Sequence, residues 1–414
     1  VSEKSIGELT NGKAQMKDMA RVQFREQEIK TKRLVLLAEL ERDYIQQREV
    51  LKDMFVVSIR SWCKALLEQQ SIGEKGKIGY LTYAMLRTDL MEGRARYLAE
   101  ATDEKWFMDN TVHRSYYDAT WAFAHLDGWV AEMKTQIHSY GGQITSMDVE
   151  QELLREAEYV HSYVVALIRY AMPYAAQSQE FMLLDKEEVF EVRVGEYLDM
   201  SEVVYKMDRR PQENKQVKAW LNERKDTAYG YGVYSHLDLA DEVYEGMDFR
   251  YSRFEESNLE RSRWTKSLLV GVRFEHCHLT EASFAYSCIH GTSFKGCDLR
   301  QATFEGVQRM RGQADPQLWE MPGFEEVDFS QANLSHAQFS QSYLRGANYS
   351  GAILTGANFS LANVEQADFR GADLSDTDFT GALMNGAMID EQDADKWSES
   401  ERKMLQIFPA RQEV

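Results

Sequence analysis

The sequence predicts an α+β chain of several domains: a mainly α-helical N-terminal half with a minor β-sheet, then a right-handed, four-sided β-helix, then a C-terminal capping helix. Three observations predict it. Large apolar residues recur at every fifth position through most of residues 239–389, heptad-like apolar spacing with dense charge fills residues 13–70, and the alternation Val189-Phe190-Glu191-Val192-Arg193-Val194 marks a strand. The expected divisions are a long, coiled-coil-like helical segment at 1–72, a mainly α domain with minor β at 73–232, the β-helix at 233–390, and a cap helix and tail at 391–414.

Residues 13–70 read as one long helix or two in line. Leu37, Leu40, Tyr44, Leu51 and Met54 form an apolar stripe that requires a partner helix. The run Gly73-Glu74-Lys75-Gly76-Lys77-Ile78-Gly79 ends it. A phosphate loop needs glycine where Ser71 stands and a hydroxyl where Ile78 stands, so this run is a linker. Residues 80–90, 112–140, 149–174 and 214–224 read as further helices, and residues 96–108 and 188–197 as strands. The aromatic residues of this half, among them Trp106, Trp121, Trp129 and Tyr163, are expected in the core.

From Phe249 every fifth residue is large and apolar up to Phe304. The series resumes in phase at Phe324 and continues to Ile389. Two positions before each stands a small residue, most cleanly Ala332, Ala337, Ala347, Ala352, Ala357, Ala362, Ala367 and Ala372. A period of five fits neither a helix nor a strand, so each unit must be a short extended segment plus a corner. If four units close one coil, a residue returns above itself after twenty positions and successive coils bond as parallel strands about 4.8 Å apart. In the first half of the repeat, Ser252, Ser257, Ser262, Ser267, Cys277, Ser287, Thr292 and Cys297 occupy the small-residue slot, which predicts less regular coils there. Cys277 and Cys297 should stack as buried thiols.

The interruption at 307–323 reads either as an extruded loop or as a degenerate coil, with Pro316 and Pro322 favouring the loop. Its Arg309, Arg311, Leu318 and Trp319 are candidate partner contacts, Trp319 either as an anchor on a stiff support or folded back on the wall. A solenoid needs its ends covered. Ser398-Glu399-Ser400-Glu401 has capping-box spacing, and the helix it starts would carry Trp397, Met404, Leu405 and Phe408 on one face. Trp397 and Phe408 complete the candidate contact set.

The motifs Ala332-Asn333-Leu334, Ala357-Asn358-Phe359, Ala367-Asp368-Phe369 and Ala372-Asp373-Leu374 closely resemble the pentapeptide-repeat family, over somewhat more than a third of the chain. The N-terminal half resembles no family. The resemblance implies a non-catalytic interaction or scaffold protein that uses a rigid rod, as an accessory or structural component of a bacterial toxin or secretion assembly. It makes association through the C-terminal element, and so a homo-oligomer, an expectation. The alternative it implies is a DNA-mimicking modulator of type II topoisomerases such as gyrase. Against mimicry, residues 330–356 are almost uncharged, whereas a mimic needs continuous negative rows.

A net charge of -19 disfavours direct contact with nucleic acid, which needs Lys and Arg against phosphate, and points instead to protein partners. No run reaches the roughly 20 apolar residues of a membrane span. Residues 1–12 carry neither a basic start nor an apolar core, so a cytoplasmic protein is expected, with export by a non-classical secretion or injection system as the alternative. The nine histidines form no ligand motif. Within His276, Cys277, His278, Cys288 and His290, Cys277 points inward while His278 and Cys288 lie on opposite walls, so no metal, cofactor or catalytic set is expected.

Overall fold

A computed structural model describes residues 15–225, 229–308 and 326–409. They fall into two compact units, one up to Met207 and one from Asp208 onward.

In the first unit the chain is helical from residue 15 through a π-helical turn, Arg25–Ile29, and helix α1, Lys30–Ser71, matching the extent read at 13–70. Its buried stripe runs Leu37, Leu40, Tyr44, Leu51, Phe55, Ile59, Trp62 and Leu66. Met54, expected on that stripe, is instead exposed: a straight helix drifts from a seven-residue repeat, and Phe55 comes round to the core in its place.

The chain continues through strand β1 (Ile78–Met85), a helical turn α2 (Arg87–Met91), β2 (Arg96–Thr102), β3 (His113–Asp118), α3 (Thr120–Gln136), α4 (Ser146–Ala175), α5 (Gln179–Leu183), β4 (Lys186–Glu196) and β5 (Ser201–Asp208). The strands form one sheet in the order β3-β2-β1-β4-β5, with β1 antiparallel to β2 and parallel to β4. Residues 80–90, expected as a helix, are mostly β1. That strand is buried on both faces, so alternation is lost and only its Tyr and Thr content favours extension. The helix expected over 112–140 begins only at Thr120. Its first part is β3, ended where the Asp118 carboxylate accepts the Thr120 N–H at 2.8 Å. The strand expected over 96–108 stops at Thr102, and β5 was not foreseen.

The partner of α1 is α4. The pairs Arg21–Asp148, Arg25–Glu152 and Arg33–Glu156, with Tyr170 bonded to Glu49, rise together along both helices, so the two run parallel. Glu156 is fully buried and bound by two Arg33 nitrogens at 2.6 and 2.8 Å. The glycine-rich linker holds a buried Lys75 ion-paired to Asp109, whose carboxylate also accepts the Thr111 and Asp103 N–H groups and is held far below the usual carboxylate range.

The second unit opens with helix α6, Asn214–Leu221. Its column then pairs residue i with i+20: Val233–Ser235 with Arg253–Glu255 and Arg273–Glu275, and single bridges such as Asp238 to Asn258 to His278 to Asp298 on the other sides. Four five-residue units therefore make one coil. The large residues from Phe249 to Phe304 and from Phe329 to Leu374 are buried on the axis. From Phe274 onward they alternate aromatic and aliphatic, so rings stack on two opposite sides, as Phe339 on Phe359 at 4.5 Å, while the two ring stacks meet edge to face, as Phe359 with Phe369 at 87°.

The corner of each unit is a residue with φ between 45° and 75°, at every fifth position from Tyr231 to Gly306 and from Gln331 to Gly386. This is the left-handed turn that lets a strand change direction within one residue. Glycine is required where the corner side chain of the coil below lies across it: a Cβ on Gly271 would meet the Tyr251 ring at 2.5 Å, and one on Gly306 the Tyr286 ring at 2.5 Å.

The coils of the first half keep the ladder despite their polar slots. Ser252, Ser267, Ser287 and Thr292 donate their hydroxyls, and Cys277 and Cys297 their thiols, to the carbonyl 23 residues earlier. Each buried polar atom thus spans two coils. All four cysteines are free, and burial pushes the Cys277 and Cys297 thiols up to about 12.

Of the interruption read at 307–323, Val307 is buried and Gln308 pairs with Cys288, so both still follow the ladder, and the rest lies outside the described residues. The described coils on either side are direct neighbours: Ser293 pairs with Asp328 and Asp298 with Asn333, a step of 35 residues instead of 20. At the C-terminal end the capping box of Ser398 and Glu401 forms, but its helix, Glu399–Arg402, is one turn long. Residues Gln406–Phe408, expected to be helical, are a strand parallel to Met388–Asp390. Backbone groups left open by the last coil draw the segment into the ladder.

Candidate functional site

The outward positions of each unit lie just before and after the buried large residue, and they build the surface a partner would meet. In many units Asp or Asn stands before it, and its side chain accepts the N–H two residues on: Asp248 from Arg250, Asn333 from Ser335, Asn358 from Ser360, Asp373 from Ser375. These carboxylates are turn builders first. Where arginine follows, it closes on the same carboxylate with two nitrogens, as in Asp298–Arg300 and Asp368–Arg370, and the Arg300 hydrogen bonds hold the Asp298 carboxyl below its usual range.

Side chains also link coils. Arg261 binds Asp241 at 2.7 and 2.9 Å, and Asn258 binds Asp238, Asn348 Asp328 and Asn358 Gln338, each pair twenty residues apart. The walls are therefore tied together coil to coil, and they remain acidic, with more Asp and Glu than Lys and Arg. Between residues 331 and 360, Arg345 is the one Asp, Glu, Lys or Arg, and the surface there is Gln, Asn, Ser and Thr with half-exposed Tyr343 and Ile353.

Of the predicted contact residues, Arg309, Arg311, Leu318 and Trp319 lie outside the described residues. Trp397 is 7% exposed, its ring 5.5 Å from Phe379, and it closes the end of the column's core. Phe408 is half-buried under the Arg370 guanidinium at 4.9 Å. These two share one end of the column. Among the described residues no group of three His, Cys, Asp or Glu is arranged to hold a metal ion, and no helix is long and apolar enough to cross a membrane.

The first coil is completed by side chains rather than by another coil: Gln212 bonds the Val233 carbonyl and the Ser235 N–H, Asn214 accepts from the Asp238 N–H, and Trp220 stacks on Tyr234. Among the described residues the last coil is covered less completely, an asymmetry that sequence reasoning missed.

The family model for pentapeptide repeats matches residues 265–301, 324–360 and 350–386, in 8 copies. The C-terminal part of the chain is thus a pentapeptide-repeat region, and the ladder extends it in both directions, from Val233 to Met388. No family matches the N-terminal half. No curated protein matches the chain. Among solved structures, the chain is similar to QnrB1, a plasmid-mediated fluoroquinolone resistance protein, with 18% identity over 40% of this chain and 78% of that one and a TM-score of 0.33. It is also similar to HetL, a pentapeptide repeat protein involved in heterocyst differentiation regulation from Nostoc sp. strain PCC 7120, with 17% identity over 44% and 98% and a TM-score of 0.15. A third is Rfr23 from the cyanobacterium Cyanothece 51142, with 16% identity over 37% and 84% and a TM-score of 0.14. The repeat assignment rests on the family model and the ladder.

Proposed function

We propose that this pentapeptide-repeat column is a right-handed scaffold on which a non-catalytic interaction protein displays contacts for other proteins. The observation that carries this reading is the use of the polar groups. On the column they build turns and tie coils together, and among the described residues they leave no constellation able to move a proton or hold a reacting atom. A stiff wall of fixed hydrogen-bonding groups binds a partner at little ordering cost. Partner contacts are assigned to Arg309, Arg311, Leu318 and Trp319 and to the column's end around Trp397 and Phe408, where residues 391–409 serve as the cap. The helical unit recruits the same assembly or joins copies of the chain into a homo-oligomer. Its setting is an accessory or structural part of a bacterial toxin or secretion assembly, in the cytoplasm or exported by a non-classical route.

The test is affinity capture with the full chain against each unit expressed alone, with native mass spectrometry of what is held. A stoichiometric protein complex is expected. If neither the chain nor either unit holds a protein or itself, the reading fails. DNA mimicry is the weaker alternative. The arginine clasps and the uncharged belt at 331–360 interrupt any negative row, and the absence of an effect on gyrase supercoiling at large molar excess is expected.

A further inference from the structure

The last coil, residues 371–390, is covered unevenly. On one side the strand Gln406–Phe408 continues the ladder from Met388–Asp390. On another, Lys396 Nζ donates to the Leu374 carbonyl at 2.8 Å, and Asp390 Oδ2 accepts the Gly371 N–H at 2.6 Å. On the side running through Thr377, Asp378 and Phe379 the Trp397 ring lies 5.5 Å from the Phe379 ring, but no described group bonds the ladder there.

One coil below, the same side shows what is missing. There the Phe359 N–H donates to Asp378, the Leu361 N–H to Thr380, and the Ala357 carbonyl accepts from Asp378. On the last coil the corresponding groups are the Phe379 N–H, the Gly381 N–H and the Thr377 carbonyl, and no described residue bonds them. The inward residues Thr377, Phe379, Ala382 and Met384 are half-exposed, while their counterparts Ala357, Phe359, Ala362 and Val364 are buried. Leu383, 54% exposed, and Leu361, 64% exposed, extend this apolar edge along the wall. Asp373, Asp376 and Asp378 stand beside it, and no described cation forms an ion pair with them.

An unpaired ladder edge binds an extended strand, and the side chains beside it select which strand. A second copy set end to end would bring Asp376 and Asp378 against their own kind, at a Coulombic cost. We infer that this edge takes one extended segment of a basic protein partner, in which Lys or Arg alternates with apolar residues. The period of two in a strand turns the apolar side chains onto Phe379 and Met384 and the cations toward Asp376 and Asp378. The inference rests on the binding role proposed above and names the partner's chemistry.

The test uses the full chain and a labelled, end-blocked heptapeptide of alternating lysine and valine, measured by fluorescence anisotropy at physiological salt. Four comparisons accompany it: the same peptide N-methylated at alternate amides, a glutamate–valine peptide, which should not bind, the variant Asp376→Gln with Asp378→Asn, and a control double variant. The Asp376→Gln, Asp378→Asn variant keeps the fold's own solutions, since Gln366 takes the same left-handed conformation at a corner two sides away and Asn358 makes the same turn one coil away. The lysine peptide is expected to bind, N-methylation to abolish binding, and the double variant to weaken it about 3- to 10-fold. A matched loss of charge elsewhere, Glu256→Gln with Glu281→Gln, is expected to leave it unchanged. Equal binding of the N-methylated peptide, equal loss from both double variants, no binding at all, or a homodimer that the Asp376→Gln, Asp378→Asn variant dissolves would each overturn the inference. Protein capture through the walls or the helical unit would leave the broader reading standing.

Discussion

The column and the helical unit bury similar side chains under different rules. In the column a buried ring meets its equivalents one coil away, as Tyr349 lies 4.8 Å from Phe369 with the rings 1° from parallel. In the helical unit Phe55 meets Tyr83 and Tyr117, which arrive from separate strands at steep angles. The first arrangement is a sum of neighbour contacts and the second depends on the whole unit at once. A one-dimensional stack tolerates local damage near its ends, whereas a closed core does not.

The largest expected effect tests that difference within the column. Phe359→Ala, in mid-column, should cost about 3–5 kcal/mol, and Phe379→Ala, on the half-exposed last coil, much less, about 1–2 kcal/mol. Urea denaturation followed by circular dichroism measures both. Equal losses would mean that the column melts as one block. In the helical unit, Arg33→Ala leaves the Glu156 carboxylate buried without its partner, for a loss of about 3–5 kcal/mol, and Arg33→Met with Glu156→Leu should recover most of it. If the single change is harmless, that pair is not what joins α1 to α4.

Glycine sharpens the contrast. A Cβ on Gly195 would lie 2.2 Å from the Met200 carbonyl oxygen, a backbone atom at the entry to β5 that cannot step aside, so Gly195→Ala should cost about 3 kcal/mol. Gly371 has room at 3.7 Å and only its φ of 72° to satisfy, so Gly371→Ala should cost about 1 kcal/mol. Thermal melts of the two variants are expected to differ in that order.

The smallest effect is a pH dependence confined to the helical unit. His161 stacks on Tyr97, its Nδ1 2.7 Å from the hydroxyl, and burial pushes its pKa down to about 4. The unfolded chain then binds a proton between about pH 6.5 and 4 that the folded unit does not, so stability falls as pH drops through that window. His161→Phe should flatten this part of the profile, and an unchanged profile would remove the assignment.

The same contrast decides what could be read in advance. The column was legible because one period carries its whole geometry: Phe329 to Ile389 name the axis, and Ala332 to Ala372 the tight slots. Its polar slots looked like irregularity because a serine's partner, 23 residues away, belongs to the coil below and appears only once coils are stacked. In the helical unit, β1 is buried on both faces and hides its alternation, and β3 leads into α3 after a single residue, Ala119. Candidate contacts were legible as aromatic residues near the repeat's end, but the open edge at Thr377–Phe379 was not. It is made of backbone groups, which no residue type announces.

The four-sided coil is the claim on which the rest depends, and deletion tests it most directly. Removing twenty residues, 338–357, takes out one whole coil and returns every aromatic ring, corner and cap to its own side. Removing five, 353–357, sets aliphatic residues on ring stacks and turns the cap by one side. The account predicts a cooperative melt close to that of the full chain for the twenty-residue deletion and loss of the folded column for the five-residue one. Equal tolerance of both would contradict it.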